Sequence, residues 1–143
     1  MYQRILVPLD GSETAEKVLP FVIGEAKSHG AAVVLLRVIL PLRSSFMVSL
    51  KFQEQLIQQA TEFSQNYLEK ISQQLGAEGI QVEVEIQHGP VAPRILETAE
   101  STRCDLIIIG SHGEGGVIRW RFGGTAHKVV KTHTTIPVLV VST

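Results

Sequence analysis

Five short apolar segments, separated by stretches with helical spacing, constrain this chain more than any other feature. Four are continuously apolar or nearly so: RILVPLD (4–10), AAVVLLRVI (31–39), DLIIIG (105–110) and IPVLVV (136–141). Segments this short and this apolar read as strands buried on both faces. The fifth, IQVEVEIQ (80–87), alternates: Val82, Val84 and Ile86 share one side, Gln81, Glu83 and Glu85 the other. That pattern belongs to a half-exposed strand near a sheet edge. Between the segments, apolar residues recur at helical spacing. Residues 13–29 carry Val18, Leu19, Val22, Ile23 and Ala26, with Ser12 as N-cap and Glu13 and Glu16 in the first turn. Residues 52–75 carry Phe52, Leu56, Ala60, Phe63, Tyr67, Ile71 and Leu75; 91–103 carry Val91, Ile95, Leu96 and Ala99; 124–133 carry Ala126, Val129 and Val130. Strict alternation of strand and helix predicts an α/β fold. It is a single five-stranded parallel open sheet with helices on both faces.

Length and composition bound what such a fold can do. A chain of 143 residues with no break in composition and no internal repeat reads as one domain, 1–143. Apolar residues make up 44% and charged residues 19%, enough core to exclude disorder. A net charge of −1, with no concentrated basic run, excludes the footprint that a nucleic-acid duplex requires. One cysteine, Cys104, cannot form an internal disulfide and fits a reducing compartment. No apolar stretch approaches the roughly 20 residues of a membrane span. The opening MYQRILVPLD reads as a strand and not as a signal peptide, so the expected location is the cytoplasm.

The segment DLIIIGSHGEGGVIRWRFGGTAHKVV (105–130) is where chemistry enters. A strand ends in Gly110, and five more glycines follow before the last helix begins. Such a stretch is either a plain surface loop or a backbone that must approach something closely. In an open parallel sheet, ligands bind beyond the carboxyl ends of the strands, where strand order reverses. The chain ends delivered there are Asp10, Val38, His88, Gly89 and Gly110. Gly110 and Gly113 let backbone N–H groups reach an anion, Gly123 and Gly124 open a helix whose first N–H groups are unpaired, and Thr125 adds a hydroxyl. Between Ile109 and Lys131 stand Arg119, Arg121, Lys128 and Lys131 against Glu114 alone, so a phosphate suits this place. Asp10 either holds a ligand or serves the turn before Ser12. Arg119 and Arg121 either clamp phosphates or decorate a surface. LPLRSSFMVSL (40–50) is either a lid or partner surface, or a loop folded back on the core. Catalytic patterns are missing. The sequence has no G-x-x-x-x-G-K-[ST], no dinucleotide fingerprint, no G-x-S-x-G, no H-E-x-x-H and no C-x-x-C. No residue pair stands out as activating water, and His127 and His133 do not share a helix face. No catalytic or metal-ligating residue is therefore assigned.

ILVPLDGS, HGPVAPRIL and the long C-terminal stretch from DLIIIG to TTIPVLVV resemble the universal stress protein family over essentially the whole chain. The family's nucleotide signature is G-x-x-G, nine residues, then G-[ST]; here Gly110-Ser-His-Gly113 is followed by nine residues and Gly123. The resemblance implies an adenine-nucleotide alpha-hydrolase-like (Rossmann-like) fold and ATP as ligand, with or without Mg2+. Pro8, Leu9 and Asp10 would contact base and ribose, Val38 would line the adenine pocket, and Gly89 would allow close approach. Ile109, Gly110, His112 and Gly113 would hold the ribose and first phosphates. Gly123, Gly124, Thr125 and Ala126 would carry the terminal phosphates. It also implies a homodimer through the last strand, Pro137, Val138, Leu139, Val140 and Val141, in a stress-response or regulatory role. One departure is Gly124, where the family usually carries Ser or Thr; a lost hydrogen bond to phosphate is worth about 1.5–3 kcal/mol. Members of the family that bind no nucleotide make a structural or interaction dimer the alternative, and slow ATP hydrolysis ranks below both.

Overall fold

The computed structural model describes residues 1–40, 49–111, 124–132 and 135–143. Its five strands are β1 (Arg4–Pro8), β2 (Ala32–Ile39), β3 (Val82–His88), β4 (Leu106–Gly110) and β5 (Val138–Val141), all parallel and ordered β3-β2-β1-β4-β5. The helices are α1 (Glu13–Glu16), α2 (Leu19–His29), α3 (Leu50–Gly76), α4 (Val91–Ser101) and α5 (Gly124–Lys131).

Alternate residues of the buried strands feed two cores, one on each face. Ile5, Val7, Leu9, Val33, Leu35 and Ile108 meet Ala15 of α1, Val22 and Ala26 of α2, and Leu68, Ile71 and Leu75 of α3. Leu6, Val34, Leu36, Val38, Ile107 and Ile109 meet Ala92, Ile95 and Ala99 of α4, and Ala126 and Val129 of α5. The helices after β1 and β2 thus cover one face, and those after β3 and β4 the other. Strand order reverses between β1 and β4. The alternating segment is indeed an edge strand, with Val82, Val84 and Ile86 packed inward and Glu83 exposed.

The expected helix over 13–29 is two helices. Pro20 supplies no N–H, so the chain breaks after α1 and restarts with proline in the first turn of α2. Ser12 caps α1 as expected, its Oγ accepting from Ala15 N at 3.0 Å. The third-layer helix begins earlier than its apolar stripe suggests, because the Ser49 hydroxyl accepts from Phe52 N at 3.1 Å and caps Leu50 onward. Of the 40–50 stretch, residues 41–48 lie outside the described residues. Among the described residues no helix is long and apolar enough to cross a membrane.

Candidate site at the strand-order reversal

Proline and parallel pairing together end the β1–β4 ladder early, where the strand order reverses. In a parallel strand the N–H and C=O of one residue face the same neighbour, and successive residues alternate. The Arg4 carbonyl accepts from Asp105 N at 2.9 Å on the β4 side, and Leu9 N donates to the Leu36 carbonyl at 2.8 Å on the β2 side. Even-numbered positions of β1 therefore address β4. At position 8 that donor does not exist, because residue 8 is proline. The β1–β4 pairing consists of Ile5 with Leu106 and Leu6 with Ile107, and goes no further, although β1 runs to Pro8 and β4 to Gly110. On its other side β1 stays paired with β2 up to Pro8 and Leu36. The missing pairing lies at the carboxyl ends of β1 and β4, the position where open α/β sheets take ligands.

The described residues expected to bind lie at the carboxyl ends of β1, β2 and β4 and at the start of α5. Pro8 ends β1 and Leu9 and Asp10 follow it, with Leu9 buried and Asp10 half-buried. Val38 is the penultimate residue of β2 and belongs to the core under α4. Ile109 and Gly110 end β4, and Ile109 is buried. Gly124, Thr125 and Ala126 form the start of α5, with Gly124 exposed and Ala126 buried. His112, Gly113 and Gly123 lie outside the described residues, as do Arg119 and Arg121. The first N–H groups of α5 have no intrahelical acceptor, and they are the donors that this end of the site offers an anion. Among the described residues, a Cβ at Gly124 would meet nothing within 4 Å.

Two expected ligand residues also have structural duties. Asp10 Oδ1 accepts from Ser12 N at 2.9 Å and so shapes the turn into α1. Gly89 has φ +129°, a conformation that side chains rarely adopt, and a Cβ there would sit 2.8 Å from Arg94 Nε. That guanidinium donates to the His88 carbonyl at 2.9 Å and pairs with Glu97, while Gly89 N donates to the Ile39 carbonyl at 3.1 Å. The missing Cβ of Gly89 is thus already used by Arg94. His88, at the end of β3, is exposed, and its Nε2 lies 3.1 Å from the Thr61 hydroxyl. That hydroxyl donates to the Ile57 carbonyl at 2.8 Å, so the ring nitrogen is the donor to it, tying β3 to α3.

Tyr67 escaped the sequence reading because its place in an apolar stripe explains it as core. Its ring packs on the α3-side core, and among the described residues its buried hydroxyl has no partner at hydrogen-bond geometry, with the Glu16 carboxylate nearby. Burial, then the carboxylates of Glu16 and Asp10, push it well above the usual phenol range, and Arg37 opposes them. It stays a neutral donor beside the end of β1. Among the described residues no group of three His, Cys, Asp or Glu side chains could hold a metal ion.

The other end of the sheet has a different character. The Asp105 carboxylate accepts from Gln3 N at 2.9 and 3.1 Å and from Arg4 N at 3.0 Å. Arg4 Nε donates to the Thr102 carbonyl at 2.7 Å, and its guanidinium pairs with Glu83 at 2.6 Å. That pair, chiefly through its hydrogen bond, holds the Glu83 carboxyl below its ordinary value. Burial pushes the Cys104 thiol up, with Thr102 and Arg4 opposing, so it is a poor nucleophile.

Comparison with known proteins agrees with this geometry. The profile of the universal stress protein family matches residues 1–142. Universal stress protein MJ0577 of Methanocaldococcus jannaschii is 33% identical, with 99% of this chain and 95% of that protein covered. Its solved structure superposes with a TM-score of 0.88 at 34% identity, covering 100% and 97% of the two chains. A universal stress protein in complex with cAMP has a TM-score of 0.71 at 18% identity, covering 99% and 97%. One from Archaeoglobus fulgidus in complex with dAMP has a TM-score of 0.66 at 23% identity, covering 97% and 97%. At these last two identities the likeness is one of fold.

Proposed function

The chain belongs to the universal stress protein family, with its adenine nucleotide alpha-hydrolase-like fold, and from that premise we propose that it binds ATP at the strand-order reversal and acts as a regulatory homodimer in the cytoplasm. The observation that carries this reading is the early end of the β1–β4 ladder, which stops at Leu6 and Ile107 because Pro8 cannot donate to β4. In sequence, the glycine spacing from Gly110 to Gly123 lies between the end of β4 and the start of α5. Pro8, Leu9, Asp10 and Val38 are suited to base and ribose. Ile109, Gly110, His112 and Gly113 are suited to the ribose and first phosphates. Gly123 to Ala126 offer backbone N–H groups to the terminal phosphates. Mg2+, where present, would arrive with the triphosphate. Two relatives of the same fold were solved with cAMP and dAMP, which supports an adenine nucleotide as the ligand class. The dimer reading rests on β5, an outer strand whose Leu139 is 37% exposed. An open apolar edge of this kind pairs readily with a second copy. A monodisperse monomer by light scattering at micromolar concentration would overturn it.

A second reading, an interaction dimer that binds no nucleotide, draws on Gly124, which supplies no hydroxyl, and on Gly89, whose missing side chain Arg94 already explains. The two readings part at Gly113. Replacing it by leucine removes ATP protection against heat under the first reading. Under the second, ATP gives no protection to either protein.

A further inference from the structure

Ser111 is the polar residue that follows β4, and it is only 5% exposed. Three contacts tie it to the far side of the outer strand. Its backbone N donates to the Val141 carbonyl at 2.8 Å, extending the β4–β5 ladder past Gly110 and Val141. Its Oγ accepts from Thr143 N at 3.0 Å and lies 3.4 Å from the Thr143 hydroxyl. Thr143 stands two residues beyond β5, so a hydroxyl at the ligand end of β4 is held by the continuation of the outer strand. We propose that Ser111 is a positioning residue that couples pairing along β5 to nucleotide binding at the end of β4. The proposal rests on the nucleotide-binding reading above.

The physical argument concerns entropy. The chain leaves β4 through Gly110, which restrains backbone direction least of all residues. Any ligand that needs a fixed direction there must offset the cost of ordering it. The Ser111–Thr143 tie prepays part of that cost, provided that Thr143 is itself held in place. Thr143 follows a strand of four residues that, among the described residues, is paired on one side, the kind of segment that opens locally. Pairing of β5 with a second copy would hold the strand and hence the tie. By linkage, a dimer that favours the nucleotide is favoured by it to the same factor.

A double-mutant cycle tests this, with ATP affinity measured by calorimetry and mass by light scattering. Leu139→Lys places a charge on the open edge and is expected to give a monomer. Leu139→Lys should weaken ATP binding in the parent. In the Ser111→Ala background, already weaker by about three- to tenfold, it should change little. Ser111→Thr, which keeps the hydroxyl, should restore both affinity and coupling. Thr143→Pro, which removes the N–H donor, should copy Ser111→Ala, and it serves if the alanine variant fails to fold. A Leu139→Lys protein that stays dimeric, or an ATP affinity blind to oligomeric state, overturns the proposal and leaves the nucleotide reading intact. A parent protein that binds no ATP ends both.

Discussion

The two ends of the sheet are built from opposite materials. At the amino ends of the strands, side chains close off the backbone: Asp105 takes the N–H groups of Gln3 and Arg4, and Arg4 reaches Thr102 and Glu83. At the carboxyl ends side chains also hold single turns, as Asp10, Arg94 and Ser111 do, but the pairing between β1 and β4 is left incomplete. Pro8 has no donor for β4, the β1–β4 ladder stops early, and α5 begins with an exposed glycine. Buried backbone polar groups left unpaired are costly, so an end built this way serves a ligand or is open to water. The difference separates what holds this fold together from what the fold can do.

Substitutions can break or sharpen that contrast. The largest effect is expected at the closed end. Asp105→Ala removes the charged acceptor of the Gln3 and Arg4 N–H groups and should lower unfolding free energy by about 2–3 kcal/mol, read by urea denaturation, with ATP affinity unchanged. A loss of ATP binding alongside would show that the two ends are not independent. Next is Gly89→Ala, which forces a side chain into φ +129° and against Arg94. It should cost about 1–3 kcal/mol of stability, and the comparison with Gly89→Ala,Arg94→Ala isolates the contribution of the clash. Gly124→Ser lies at the start of α5, where a Cβ meets nothing within 4 Å among the described residues. It should leave the melting temperature alone and tighten ATP binding about tenfold by one added hydrogen bond to phosphate. The smallest effect concerns acid. Glu83 is held below its ordinary pKa by Arg4, so the pair stabilises the fold above that ordinary value. The contribution fades as pH falls through the lowered folded value. Because the pair is partly exposed, Glu83→Gln should cost at most about 1 kcal/mol at neutral pH, and nothing once the pH lies below the lowered folded value.

Patterns that repeat locally were legible in the sequence. The five strands, the edge character of Val82–His88 and the Ser12 cap follow from hydrophobic period and one capping hydroxyl. The split at Pro20 was equally local but was overridden by a continuous apolar stripe across 13–29. The remaining features come from pairs that are distant in sequence. Asp105 meets Gln3 across 102 positions, and Ser111 meets Thr143 across 32. Such contacts have no period and become visible only when strand order is known. Gly89 shows a second limit. A glycine near a predicted site invites a ligand explanation, yet here a guanidinium five positions later occupies the space. At Pro8 the signal was present, as proline at a strand end. Its consequence for the β1–β4 ladder required knowing that even-numbered residues face β4.

The most direct test of nucleotide binding is to purify the protein without added nucleotide, denature it, and identify what is released. The account predicts near-stoichiometric adenine nucleotide, or, if the site empties during purification, a clear rise in melting temperature with millimolar Mg-ATP. An empty extract together with no thermal shift would contradict it and leave the interaction dimer as the working description.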